Sequence, residues 1–270
     1  MITLRMEFYK CKRRWLWLPP LLDQQAVTQI FCRHTDWIIP PLLMLAAQML
    51  WGLWSYIDMD ARALSQGWAD ILYSFPLLNA MMTPVVAAVL GSRIADIEHK
   101  GQTLKLLQTV QSAGSVFDAK FLCAGTYMTV FVALQLATIV IFGVLRGFAG
   151  TPPWSRLLEY TVGTLLTTLT ILLFQLVLSL LLSNQMIGMI AGLIGALFGL
   201  FSLFFPPSFQ RFFIWAYYAV LYNTVMDWNE TTRIVTYRFT GFAWDGVIGI
   251  LLFFAAIYII GRRLFIKKEV

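Results

Sequence analysis

The stretch MIGMIAGLIGALFGLFSLF, Met186 to Phe204, decides the class of fold. It carries no charged residue and is close to the roughly 20 apolar residues that a helix needs to cross the hydrocarbon core of a bilayer. Gly188, Gly192 and Ala196 recur every four residues within it, as do Ala191, Gly195 and Gly199. Small residues at that spacing let helix backbones approach closely. Packing within the chain and packing against a second chain both fit the pattern. Gly188, Gly192, Gly195 and Gly199 are therefore the candidate subunit-packing residues.

Working outward, the whole chain has the same character. Of its 270 residues 59% are hydrophobic and 13% are charged. A soluble domain carries about 25% charged residues, and the mean hydropathy here is +0.72. This composition excludes a soluble enzyme, a disordered chain and a collagen-like fibre. Six spans are predicted, all helical: Trp37 to Ile57, Ala69 to Leu90, Phe121 to Leu145, Thr161 to Leu182, Met186 to Phe204 and Val247 to Ile260. The expected fold is an all-α, polytopic membrane bundle, with residues 1–36 as an interfacial segment and 37–270 as the membrane domain.

Lysine and arginine orient the bundle. The N-terminal segment, the loop between spans two and three and the tail hold fourteen of them, including all seven lysines. The other side holds six, all arginine: Arg62, Arg146, Arg156, Arg211, Arg233 and Arg238. Both termini are predicted to be cytoplasmic in a plasma membrane. The net charge of +6 is read as topology rather than nucleic-acid binding, since no basic surface module interleaved with aromatics occurs.

Three segments lie outside the spans. Thr3 to Leu22 mixes Arg5, Lys10, Lys12, Arg13 and Arg14 with Phe8, Trp15 and Trp17, a composition suited to an amphipathic helix lying at headgroup depth. The loop from Arg93 to Lys120 carries Leu104, Leu106, Leu107 and Val110 as a short apolar stripe. It reads as an amphipathic helix, with Gly114 and Ser115 as a break before the third span. The segment from Phe205 to Asp245 opens on Pro206 and Pro207 and continues with apolar and aromatic residues. It is too short and punctuated for an ordinary span, and a pair of short helices dipping into the outer leaflet is expected.

Catalytic constellations are missing from the sequence. There is no HExxH, GxSxG or phosphate-binding loop, and Cys11, Cys32 and Cys123 form no CxxC. Asp70, Glu159 and Asp245 stand singly near span ends. Deeper polar groups are amides and hydroxyls: Gln48, Asn79, Thr83, Gln135, Gln175 and the threonines from Thr161 to Thr170. They can glue helices together or line a path. Asn79, Thr83, Gln135, Thr164, Thr168 and Gln175 are the candidate substrate path. Without deep ionisable residues, a proton- or sodium-driven transporter is disfavoured.

The order of parts resembles the ABC-2 type permease subunits of ABC transporters. The local match is the loop between spans two and three, with Glu98, Gly101, Thr103, Lys105, Leu106, Leu107 and the lysine Lys120 opening the third span; Gln111 stands where the family often has a proline. Within that family the layout is similar to the permeases of lantibiotic immunity and peptide-antibiotic resistance, which are bacterial. The resemblance implies a non-enzymatic chain docked on a separate cytosolic ATPase, present in two copies, which holds ATP and Mg. It implies that Glu98, Gly101, Thr103, Lys105, Leu106, Leu107 and Val110 form the docking element. It further implies a second permease chain, identical or related, and an external re-entrant hairpin before span six. The rival readings are a non-transporting scaffold or sensor subunit, an exporter of a drug or lipid-linked glycan, and a membrane enzyme acting on lipid.

Overall fold

The computed structural model of the protein describes residues 39–56, 60–99, 112–182 and 184–269. The described chain is dominated by six helices of useful length: α1 (Ile39–Ser55), α2 (Ala61–His99), α3 (Ala113–Arg146), α4 (Trp154–Leu181), α5 (Gln185–Phe201) and a last one, Trp244–Glu269. Five of these are long and apolar enough to cross a membrane; α1, at 17 residues, is apolar but shorter. Of the first predicted span, residues 39–56 are described, and they are helical from Ile39 to Ser55 with Pro40 and Pro41 near the start.

Helix α2 is longer than predicted. Its 39 residues contain Pro76 and Pro84, each of which removes one intrahelical hydrogen bond. At 1.5 Å per residue it is roughly 58 Å long, about twice the hydrocarbon thickness. Both of its ends must therefore stand in headgroup or water. Helix α3 starts at Ala113, capped by Ser112, whose Oγ accepts the Ser115 N–H at 3.4 Å. Gly114 and Ser115 thus lie in its first turn rather than in a break. It stops at Gly147, where φ of 72° suits glycine.

Between α5 and the last helix the chain departs from an all-α fold. A 3₁₀ turn (Ser202–Phe204) leads to the short helix α6 (Pro207–Gln210), a second 3₁₀ turn (Ile214–Ala216) and the short helix α7 (Tyr217–Val220). Then come two strands, β1 (Thr224–Asn229) and β2 (Ile234–Phe239), paired antiparallel from Thr224↔Phe239 to Asn229↔Ile234. The expected pair of short helices thus gives way to short helices followed by a β-hairpin. Thr, Val, Ile, Trp, Tyr and Phe fill eight of the twelve strand positions and suit a pleated, half-buried surface. Asn229 Oδ1 accepts the N–H groups of Thr231 and Thr232 at 3.0 and 3.1 Å and so closes the turn. The last helix, α8 (Trp244–Glu269), runs back along the bundle.

Helix α4 is the centre of the bundle. It packs against α2, α3 and α8, while α2 also packs on α5. The largest core joins Ala87, Leu90, Phe117, Met128, Ile171, Leu172, Leu176 and Phe265. A second core at one end joins Tyr56, Trp68, Leu72, Phe148 and Tyr160. The outer faces are apolar: Leu43, Leu50, Trp54, Ile141, Val144, Met186, Ile190, Leu193, Ile248 and Leu252 are all exposed. An apolar exterior around satisfied helical backbone is the form that a bilayer demands.

Candidate functional site

The bundle has two distinct ends. At one, the C-terminal part of α8 meets the end of α2 and the start of α3; this is the tail end. At the other, the hairpin meets the start of α2; this is the hairpin end.

The helices that the predicted docking element connects, α2 and α3, come together at the tail end. Gly101, Thr103, Lys105, Leu106, Leu107 and Val110, and the side chain of Glu98, lie outside the described residues. The frame that holds both ends of that connection is described. Ile94 and Ala95 on α2 are buried, as are Phe117 and Lys120 on α3. The Lys120 Nζ donates to the Ile94 carbonyl at 3.2 Å, so a buried cation ties the two helices together by a charge-assisted bond. From α8, Arg262 Nε donates to Asp118 Oδ1 at 3.0 Å, and Tyr258 Oη donates to the same oxygen at 2.7 Å. Lys268 Nζ donates to the Leu180 carbonyl of α4 at 3.1 Å. Helices α2, α3 and α8 are thus clamped around the two points where the 100–111 connection leaves and returns, and α8 is tied in turn to α4.

The glycine stripe of α5 is used inside the chain. Gly192 lies against Ala88 of α2, with the Pro84 carbonyl 3.0 Å from where a Cβ would stand. Gly195 lies under the Trp215 indole, and a Cβ on Gly199 would meet the Ala80 and Trp215 carbonyls at 3.0 and 3.1 Å. A Cβ on Gly188 would stand 3.2 Å from Ser179 Oγ of α4. Gly188, Gly192, Gly195 and Gly199 therefore seat α5 on α2, α4 and the Trp215 turn. The opposite face of α5, with Met186, Met189, Ile190, Leu193 and Leu197, is the exposed one.

The buried polar residues form a chain of bonds rather than an open channel. Gln48 of α1 donates Nε2 to Asn79 Oδ1 of α2 at 3.0 Å. Gln135 of α3 donates to Gln48 Oε1 at 2.6 Å and to Asn79 Oδ1 at 2.8 Å, and accepts from Asn79 Nδ2 at 3.1 Å and from Tyr160 Oη at 2.7 Å. Four helices meet in this cluster. Thr168 bonds the Tyr218 hydroxyl at 2.9 Å, and burial pushes that hydroxyl up to about 12. Thr83 reaches Met44 Sδ at 4.0 Å. With its amide turned to satisfy both neighbours, Gln175 donates to the Gly188 carbonyl at 3.0 Å and accepts from the Gly192 N–H at 3.2 Å. Thr164 and Tyr160 border a void of about 10 Å³, about the room one water needs. Asn79, Thr83, Gln135, Thr168 and Gln175 each have partners inside the chain, and they connect helices that the sequence could not pair. Gln48 and Tyr160 are members that the candidate path lacked; Gln48 was visible as a deep amide, Tyr160 only as a span-end aromatic.

At the hairpin end the hairpin is tied to α2 and α4. The Tyr237 N–H donates to Gln66 Oε1 at 2.9 Å, and Tyr222 Oη donates to the Tyr73 carbonyl at 2.7 Å. Arg156 of α4 reaches the Thr240 carbonyl at 2.7 Å and Glu159 at 3.0 Å. Asn223 Nδ2 returns to the Arg156 carbonyl at 2.8 Å. Burial, followed by the nearby Asp70 carboxylate, holds the Tyr237 hydroxyl above the ordinary phenol range. Glu159, read from sequence as a lone interfacial acid, is thus a member of the hairpin's anchor. Asp245 pairs with Arg211.

Apolar spanning helices, an apolar exterior and polar bonds confined to the interior and the two ends define a polytopic helical membrane protein. Residues 33–199 match the family model described as ABC-2 family transporter protein, and the chain belongs to that family. It is accordingly a membrane permease of an ABC transporter, a kind of subunit that works with an ABC ATPase. The match takes in α1 to α5 and the connection between α2 and α3. No curated protein and no solved structure matches the chain. Among the described residues no group of three or more His, Cys, Asp or Glu side chains could hold a metal ion.

Proposed function

We propose that the chain is the permease of an ATP-driven exporter that moves an amphipathic peptide antibiotic of the lantibiotic type out of the membrane, protecting the cell. It pairs with a second permease chain, identical or related, and with two ATPase subunits that hold ATP and Mg and perform the hydrolysis. Both termini and the 100–111 connection then lie in the bacterial cytoplasm, and the hairpin end faces outside. The observation that supports this reading most is the clamped frame around that connection in a chain of the ABC-2 family. Lys120, Asp118 and Arg262 join α2, α3 and α8 where the docking residues Glu98, Gly101, Thr103, Lys105, Leu106, Leu107 and Val110 would sit on the ATPase.

Closure of the ATPase pair on ATP would push this frame. Helix α2 runs unbroken from the frame to the hairpin end, so a tilt at one end becomes a displacement at the other. Pro76 and Pro84 give it two points of reduced stiffness, the second one packed on Gly192 of α5.

The test is ATP-dependent release of a fluorescent cationic amphipathic peptide from proteoliposomes holding the permease and its ATPase. Release that stops with Leu106→Asp supports the exporter. ATPase binding without peptide movement would instead assign a scaffold or another cargo.

A further inference from the structure

A cavity of about 390 Å³ opens at the hairpin end, between the first turns of α2 and strand β2. Its polar wall is formed by Asp60, Arg62, Gln66, Asp70, Arg233 and Tyr237. The volume is in the range of small-molecule pockets. Two arginines and two aspartates line the same space, so the wall carries both signs of charge in equal number. Among the described residues neither Arg62 nor Arg233 forms an ion pair. Asp60 uses Oδ1 to cap α2 through the Ala63 N–H at 2.8 Å. Asp70 accepts the Ser74 hydroxyl at 3.3 Å. The Gln66–Tyr237 bond fixes the two walls relative to one another.

Arg233 carries the clearest sign that this wall is built for a ligand. It has φ of 54°, the one non-glycine residue in the left-handed region among those described. A turn at this point is made with less strain by glycine or asparagine. An arginine stands here instead, among the residues that line the cavity, and strain of this kind gathers at ligand clamps. The depth is also informative. Trp54 and Trp228 are exposed at this end, and tryptophan concentrates at headgroup level.

We propose that this cavity binds an ammonium–phosphate zwitterion, with the phosphate on Arg62 and Arg233 and the ammonium on Asp60 and Asp70. A pocket with only one sign of charge would take a simple ion; this one offers both, two arginines without an ion pair among the described residues and two carboxylates, of which Asp70 also takes a hydrogen bond from Ser74 and interacts with the Tyr56 and Tyr237 hydroxyls. A phospholipid headgroup and a free phosphate ester of an amino alcohol share the chemistry. The site lies at the opposite end of α2 from the docking connection. It goes beyond the permease reading, and its test needs no ATPase.

The experiment uses the purified full chain in detergent, with binding read by native mass spectrometry and by the shift in thermal stability. The probes are dihexanoyl phosphatidylethanolamine, dihexanoyl phosphatidylglycerol and free phosphoethanolamine. The expected result is saturable binding of the phosphatidylethanolamine, weakened about tenfold by Asp70→Asn and by Arg233→Gly, the scale of one lost charge-assisted bond. Phosphatidylglycerol, which keeps the phosphate and lacks the ammonium, should bind more weakly by a similar factor. Arg233→Gly separates binding from folding, because it removes the guanidinium while relaxing the backbone. Free phosphoethanolamine binding as tightly as the lipid supports the site and assigns it to a solute; weaker binding assigns it to a lipid. The absence of saturable binding, equal binding of phosphatidylglycerol, or a well-folded Arg233→Gly that binds like the parent would overturn the proposal.

Discussion

Replacing Gln135 by leucine removes the hub of the buried amide cluster and tests whether that cluster holds the bundle together. Gln135 makes four hydrogen bonds there, to Gln48, to both polar atoms of Asn79 and to Tyr160. Side-chain hydrogen bonds between helices in a membrane average about 0.6 kcal/mol each, with a ceiling near 1.7. The four together are therefore worth about 2–3 kcal/mol. Asn79 keeps its bonds to Gln48 and Tyr160, whereas the buried Gln48 Oε1 loses the donor described for it, so this figure is a lower bound. Leucine is close to glutamine in volume, so the cavity contribution is small. The assay is unfolding of the full chain in mixed micelles by titration with SDS. A cycle with Asn79→Leu isolates the pairwise part, which should reach about 1 kcal/mol. Thr126→Val is the control: its hydroxyl bonds only its own helix, at the Leu122 carbonyl, and it is exposed, so the change should stay within about 0.5 kcal/mol. If Gln135→Leu also stays within that margin, the cluster is not structural and its residues return to the candidate substrate path.

Other consequences follow from the same packing. Gly195→Leu should destabilise the chain by about 1–3 kcal/mol or more, since its Cβ would enter the Trp215 indole; loss of thermal stability of the detergent-purified chain checks it. Asp118→Asn should cost no more than about 1 kcal/mol, because Asp118 and Arg262 are both about one-third exposed, and a cycle with Arg262→Gln measures the coupling. Arg233→Gly should stabilise by about 0.5–1 kcal/mol by removing the left-handed strain, read as a rise in Tm without ligand.

Five of the spans were legible because each is a long apolar run. Met186 to Phe204 starts one residue inside, and ends with, the helical stretch made by α5 and the 3₁₀ turn after it. Helix ends were less legible where polar residues continue a helix beyond the membrane. Asp60, Arg62 and Gln66 preceded the predicted second span, yet α2 begins at Ala61 and these residues build the cavity. At its other end Arg93 to His99 continue the same helix. The hairpin was missed for a different reason. Trp228, Tyr237 and Phe239 suit both an interfacial segment and a strand, and weight was given to the membrane. The β-branched residues Thr224, Val225, Ile234, Val235 and Thr236 around the Asn229 turn were the signal for strands. The polar residues were visible one by one as deep amides and hydroxyls. Their pairing across α1, α2, α3 and α4 depends on how the helices pack, which no single span encodes. The glycine stripe was visible too, but its partner is decided by three dimensions: Ala88, Trp215 and Ser179 lie on other elements.

The most direct measurement is co-purification of the full chain, solubilised in mild detergent, with co-expressed ABC ATPase subunits from the same genome, followed by an ATP hydrolysis assay. The account predicts recovery of a complex that hydrolyses ATP, and its loss with Gly101→Asp or Leu106→Asp, while Gly147→Asn at the hairpin end leaves it intact. Recovery of the chain alone, or a complex indifferent to both substitutions, would contradict the assignment of the 100–111 connection as the ATPase dock.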